Sequence, residues 1–219
     1  MSESLIPLIL IGAGGHAKVL LSLMLDLGRP ILGVCDPALL RSGIETWRDI
    51  RVLGDDSALD SFDPVSVKLV NGIGYVPGSS TRHTLHQMLI RRGFKFAILV
   101  HERAWVDSSC LIGEGSQIMA GAVLQADASV GVSCIVNTGA TVDHDCVIED
   151  HVHIAPGATL CGGVRIGSGA FIGAGATLIQ GVRVGAGAVV GAGTVVLKNI
   201  SEKELFLGHQ SRDATRVRF

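Results

Sequence analysis

The sequence predicts a chain in two parts, an α/β unit of βαβ type followed by a parallel β-helix built from hexapeptide repeats, and three observations carry that prediction. Near the N-terminus a glycine-rich turn lies between an apolar strand and an apolar helix. From Val106 to Val196 aliphatic side chains recur every sixth residue without a break. Finally, 29 of the 219 residues are glycine, 47% are apolar and 4% are aromatic, so small aliphatic groups must fill a narrow, repetitive interior.

The N-terminal elements follow in order. Pro7 to Ile11 reads as a buried strand, Gly12-Ala-Gly-Gly-His-Ala-Lys18 as a turn, and Val19 to Leu27 as a helix closed by Gly28. Ile31 to Cys35 forms a second strand that delivers Asp36 at its carboxyl end. Such a turn presents backbone N–H groups to an anion, and an acid after the second strand can take a ribose hydroxyl. Leu69 to Gly74 reads as a third strand with its loop, and Arg82 to Arg92 as a helix. This is a Rossmann-like domain over residues 1–100. Ala17 stands where the last glycine of G-x-G-x-x-G would be, an accepted variant. So small a unit has little room for a dinucleotide plus a substrate, so a mononucleotide-bearing ligand is the better fit. Gly14 and His16 are expected against its sugar-phosphate end, Asp36 against base or ribose, and Gly72 in the same crevice.

In the repeat, the residues three after each aliphatic are mostly small or turn-forming, as at Gly115, Gly121, Gly139, Gly157 and Gly163. Each hexapeptide therefore supplies a short strand and a corner, and three close a triangular coil. The pattern resembles the hexapeptide-repeat acyltransferases, whose coils are left-handed and contain 18 residues. That resemblance implies a left-handed β-helix over residues 101–200 and a tail over 201–219. It also implies that residues i and i+18 stack about 4.8 Å apart.

Bulk properties narrow the partners. The net charge of -2 is spread without a Lys/Arg cluster, which gives no reason to expect nucleic acid. Five cysteines, odd in number and without CxxC spacing, read as small core hydrophobes of a reducing, cytoplasmic compartment. Leu5 to Ile11 is too short to span a membrane.

Three segments carry a more specific resemblance: Gly12-Ala-Gly-Gly-His-Ala-Lys18, Val136-Asn-Thr-Gly-Ala-Thr-Val-Asp-His-Asp-Cys146, and His151-Val-His-Ile-Ala-Pro-Gly157. Together they are similar to the sialic acid O-acetyltransferase-like family of bacterial sugar acyltransferases, NeuD-like and PglD-like. The family includes enzymes that N-acetylate UDP- or GDP-linked 4-amino-4,6-dideoxy sugars such as bacillosamine precursors and perosamine. The resemblance implies acetyl-CoA as co-substrate, a nucleotide sugar as acceptor and a homotrimer. Leu207-Gly-His-Gln-Ser-Arg212 departs from the Gly-x-Pro-Ala-Lys stretch common after the last coil.

Acetyl transfer needs a base, an orienter for it, and donors for the tetrahedral oxyanion. His144, two residues after the inward Val142, lies in a corner with its side chain outside the core, and imidazole titrates near neutral pH. Gly162 is His144 plus 18, so its N–H is the expected oxyanion donor. The family resemblance assigns Asp145 to orienting His144, Asn137 to the acceptor pocket and His153 to the thioester. Corners at Ala174 and Ala192 leave an open groove for the pantetheine arm, and Lys198 is placed to meet the CoA phosphates. His151 reads as a corner residue. The three histidines show no tetrahedral spacing, and no metal is expected. Alternatives are O-acetylation of sialic acid, a non-catalytic β-helix scaffold, and an oxidoreductase built on the N-terminal turn, whose chemistry would leave the repeat without a role.

Overall fold

The computed structural model describes residues 6–208. Its first part is a sheet of β1 (Leu8–Ile11), β2 (Ile31–Cys35), β3 (Thr46–Trp47), β4 (Ile50–Gly54), β5 (Lys68–Asn71) and β6 (Lys95–Phe96), in the order β3-β4-β2-β1-β5-β6. Every pairing is parallel except β3 with β4. β1 sits fully buried at the centre, as expected of a continuous apolar run in a parallel sheet. Helix α1 (Gly15–Asp26) buries Leu20, Leu21, Leu23 and Met24 against it. α2 (Pro37–Arg41) and a 3-10 turn over Asp56–Ser61 follow β2 and β4, and α3 (Thr81–Arg91) follows β5.

The chain direction of the crossovers reverses between β2 and β5, on either side of β1. At their carboxyl ends this leaves the crevice that open α/β sheets use for ligands.

The second part is a left-handed prism with three faces of two-residue strands. The first face stacks Leu99–Val100, Gln117–Ile118, Ile135–Val136, His153–Ile154, Phe171–Ile172, Val189–Val190 and Leu205–Phe206. The second runs from Trp105–Val106 through Thr141–Val142 to Val195–Val196, and the third from Leu111–Ile112 through Val147–Ile148 to Arg183–Val184. Partners within the repeat are 18 residues apart, as in Val142 with Leu160 and Ile148 with Ile166. From Ile118 onward every aliphatic of the six-residue period is buried.

A second inward column lies two residues before each of these. Ala140, Cys146, Val152, Ala158 and Val164 fill it, so the core consists of alternating large and small side chains. Burying each Val, Leu or Ile contributes roughly 1.5–3 kcal/mol. A charged residue at Leu160 would leave an unpaired charge between two coils and break the stack. The corner residues adopt the left-handed conformation, which costs a non-glycine residue on the order of 1–2 kcal/mol. Asp127, Ser133, Asp145 and His151 nevertheless hold it at φ 55 to 61.

The α/β unit covers the first face and the adjoining edge between the third and first faces. Glu114 Oε1 accepts the Phe96 N–H, and the His83 and His86 rings pack on His151 with centroids 4.2 and 5.1 Å apart. Among the described residues no helix is long and apolar enough to cross a membrane.

Candidate active site

Two groups of polar residues stand out, on opposite sides of the prism. The first is on the edge between the second and third faces. His144 follows the buried Val142, so its side chain leaves the core at the corner, and a neighbouring coil fixes its backbone: its carbonyl accepts the Gly163 N–H at 2.8 Å. Asp143 Oδ1 accepts the His144 N–H at 2.8 Å. Asp145 Oδ2 lies 2.7 Å from His144 Nδ1. A carboxylate can only accept, so Nδ1 carries a proton, and in the neutral ring Nε2 is left bare. The hydrogen bond to Asp145 raises the His144 pKa above its usual 6.5, with the charges of Asp143 and Asp145 adding to it.

The imidazole lies directly over Gly162. A Cβ built on Gly162 would stand 2.5 Å from His144 Nε2 and 2.6 Å from Cε1, so only glycine admits the ring. Among the described residues the Gly162 N–H donates to no acceptor. The stacking rule thus brings His144, Asp145 and Gly162 together. Lys198, exposed, occupies the same edge three coils on.

The second group belongs to the first face and its flanks. The crevice beyond β1, β2 and β5 encloses about 380 Å³, and Gly14, Asp36 and Gly72 all line it. Gly72 packs so closely on β1 and α1 that a Cβ would meet the Ile11 oxygen at 2.8 Å and the Ala17 Cβ at 2.9 Å. Asp36 is already occupied. Its Oδ1 caps α2 by accepting the Ala38 and Leu39 N–H groups, and its Oδ2 accepts the Ala13 N–H. It therefore shapes the crevice wall by tying the glycine turn to the end of β2.

His16 does not line this crevice; it reaches across to the prism, with Nε2 2.7 Å from Gln117 Oε1. His153 is 7% exposed on the first face, between Tyr75 and Phe171. Burial holds its pKa down at about 3. Asn137 Nδ2 approaches His153 Nε2 at 3.4 Å, and Asn137 Oδ1 accepts the Thr138 N–H. Ala174 and Ala192 are exposed one above the other along the edge between the first and second faces, where the Ala174 carbonyl accepts the Gly193 N–H.

Three contributors escaped the sequence reading: Gln117, Tyr75 and Arg82. Tyr75 donates its hydroxyl to the Gly169 carbonyl at 2.7 Å and stacks on Phe171, pinning the loop after β5 onto the prism. Arg82, buried, donates to the carbonyls of Asn71 and Ile73. No local motif marks any of the three, because the partners of Gln117 and Tyr75 are remote in sequence and Arg82 reaches main-chain carbonyls at the end of β5 and in the loop after it. Among the described residues no three His, Cys, Asp or Glu side chains are grouped so as to hold a metal ion.

Residues 7–89 match the family described as PglD N-terminal domain. Residues 145–180 match "Bacterial transferase hexapeptide (six repeats)", and residues 163–198 match "Hexapeptide repeat of succinyl-transferase". No curated protein matches the chain. Among solved structures it is similar to the acetyltransferase domain of PglB from Neisseria gonorrhoeae FA1090, at 37% identity over 89% of this chain and 93% of that one, with TM-score 0.81. It is also similar to perosamine N-acetyltransferase (PerB) from Caulobacter crescentus, solved with CoA and GDP-perosamine. There the identity is 34% over 90% of this chain and 91% of that one, with TM-score 0.79. WeeI from Acinetobacter baumannii AYE is 25% identical over 89% and 93%, with TM-score 0.79. The fold, the repeat and these likenesses agree, and the chain belongs to the PglD-like family of hexapeptide-repeat sugar acetyltransferases.

Proposed function

We propose that the chain transfers an acetyl group from acetyl-CoA to the 4-amino group of a nucleotide-linked 4-amino-4,6-dideoxy sugar, with His144 as general base. The observation that carries this reading is the His144–Asp145 pair at 2.7 Å, seated on Gly162. With Nδ1–H given to Asp145, the bare Nε2 takes a proton from the amine as its nitrogen attacks the thioester carbonyl carbon. The Gly162 N–H receives the oxyanion. Collapse of the tetrahedral intermediate breaks the C–S bond, and the CoA thiolate recovers the proton from the imidazolium.

The acceptor and cofactor assignments draw support from the relatives. The PglB domain has been solved with acetyl coenzyme A, and a histidine-to-asparagine variant of the Caulobacter enzyme with CoA and GDP-perosamine. In this chain the crevice at Gly14, Asp36 and Gly72 would hold the nucleotide. The edge at Ala174 and Ala192 offers main-chain groups to the pantetheine arm. Lys198, roughly 14 Å along the axis from His144, suits the CoA phosphates.

Assembly as a homotrimer is part of the proposal. His144 stands on the edge opposite the face that its own α/β unit covers, so within one chain the crevice and the base face away from each other. A neighbouring copy would bring its His144 edge to this chain's crevice, Asn137 and His153. Residues 1–100 would then serve acceptor binding and 101–200 catalysis. Within the tail at 201–219, Leu205–Phe206 pairs with Val189–Val190, and 209–219 lie outside the described residues. A cytoplasmic location suits these substrates.

A thiol-release assay with acetyl-CoA and a panel of UDP-, GDP- and dTDP-linked amino sugars tests the proposal. Turnover on one of these sugars, with none on free sialic acid, is expected. The reverse result assigns O-acetylation of sialic acid instead.

A further inference from the structure

The polar chain that joins the glycine turn to the prism admits one hydrogen-bond assignment. Gln117, 1% exposed on the first face, donates its Nε2 to the Asn71 carbonyl at 3.0 Å. That carbonyl is itself held in place, because Arg82 donates to it at 2.9 Å and Asn71 Nδ2 donates back to the Arg82 carbonyl at 3.2 Å. Turning the Gln117 amide over would set two oxygens against each other at this distance. Its Oε1 must therefore face His16, 2.7 Å from Nε2. An amide oxygen only accepts, so Nε2 carries the proton.

The consequence falls on the other ring nitrogen. Burial holds the His16 pKa down at about 4, against the opposing hydrogen bond from Gln117 and with the Arg82 charge adding to the burial effect. The ring is thus neutral near pH 7, and a neutral ring with Nε2–H has a bare Nδ1. Among the described residues Nδ1 has no partner, and it is not sealed from solvent. It belongs to the first turn of α1, beside Gly74, whose added Cβ would touch the His16 Cβ at 3.4 Å. A bare nitrogen repels phosphate oxygens and attracts N–H and O–H groups.

We propose that Gln117 is a positioning residue that fixes His16 as the Nε2–H tautomer, so that Nδ1 accepts a hydrogen bond from a hydroxyl or amino group of the acceptor sugar. The inference rests on the reading of the chain as a nucleotide amino-sugar acetyltransferase. Within the sugar-phosphate end expected of His16, it assigns the side chain to the sugar and not to the phosphates.

Long-range ¹H–¹⁵N correlation NMR of the intact protein labelled with ¹⁵N-histidine reads the tautomer without any substrate, with the His16→Asn variant supplying the assignment. Near pH 7 the wild type should show His16 with protonated Nε2 and unprotonated Nδ1. An Nδ1–H tautomer or an imidazolium would overturn the proposal. Gln117→Met should let the tautomers mix and raise KM for the nucleotide sugar on the order of tenfold, the worth of one neutral hydrogen bond. KM for acetyl-CoA should stay unchanged. An equal rise in both constants would mean that Gln117 only supports the fold, and would also overturn the role. If no nucleotide amino sugar is turned over while the Nε2–H tautomer is seen, the functional reading fails and the Gln117 lock stands.

Discussion

Gly162→Ala is a test of the proposed active-site geometry that deletes none of the side chains assigned a role. The new Cβ would stand 2.5 Å from His144 Nε2, 2.6 Å from Cε1 and 3.2 Å from Cδ2, whereas ordinary contact begins at 3.4 Å. The ring must therefore retreat by about 0.9 Å, the difference between 3.4 and 2.5 Å. Directed away from Asp145, a shift of that size would stretch the 2.7 Å bond beyond hydrogen-bond range. Displacement of a reacting group by about 1 Å costs on the order of a hundredfold in rate, and complete loss of the base up to about ten-thousandfold. The backbone of Gly162 lies outside the left-handed region, so alanine fits it without strain and the melting temperature should hardly move. Thiol release should accordingly fall by about two to four orders of magnitude at unchanged stability. Because both changes disable one unit, Gly162→Ala combined with His144→Ala should be no slower than His144→Ala alone. Near-normal turnover by Gly162→Ala would refute the placement of the base, and near-normal turnover by His144→Ala would refute the base itself.

Three further outcomes follow from the same coordinates. Asp145→Asn keeps a residue that tolerates φ 58 but replaces the charged acceptor that raises the His144 pKa with a neutral amide oxygen. The acid limb of kcat/KM, which should lie above pH 6.5 in the wild type, should move down in the variant; a limb that stays put would exclude Asp145 as the orienter. His86 and His153, 4% and 7% exposed, are held neutral with pKa values pushed down to about 4 and about 3, chiefly by burial. The unfolded chain takes up protons below 6.5 and the folded chain does not, so stability present at pH 7 is lost as the pH falls through 6.5 toward 4. At pH 5 the loss is about 2 kcal/mol per site, visible as a lower urea midpoint, and a flat profile would contradict it. Asp36→Ala strips the cap of α2 and the acceptor of the Ala13 N–H, which should destabilise the fold by roughly 1–3 kcal/mol and weaken nucleotide-sugar binding. Unchanged thermal melting would show that the cap is dispensable.

What the sequence discloses about this site depends on how directly spacing becomes position. In the prism the chain advances one coil per 18 residues, so counting from His144 reaches Gly162 without any coordinates, and the ring does sit on that glycine. The corner position three residues after each aliphatic gave a second signal. Asp127, Ser133, Asp145 and His151 stand there in place of glycine and all pay the left-handed strain. One of them, Asp145, holds His144 and another, His151, meets the histidines of α3. In the α/β unit the strands β1 and β2 were plain from their apolar runs. The stretch from Pro37 to Val67 was not, because α2 and β3 are short and gain their shape from packing against β4, which itself pairs with β2.

Hardest to foresee was which face the α/β unit covers, since that contact joins residues as far apart as His16 and Gln117, 101 positions distant. Yet the outward residues, taken at intervals of 18, narrow the answer to two faces, because the second, with Thr141, Thr159 and Thr177, is as free of charge as the first. On the third face they include Arg165 and Arg183, both exposed; on the first face they are Gln117, Ile135, His153 and Phe171, uncharged at neutral pH and mostly buried. A solvated face can carry arginines, and a covered one cannot without partners. Once the first face is known to be covered, the edge bearing His144 is necessarily the one opposite it. With His144 as the proposed base and the crevice as the proposed acceptor site, the two face away from each other and have no joint use in a lone chain. The geometry that sets the covered face opposite the His144 edge therefore gives the physical reason for expecting a second copy at the site.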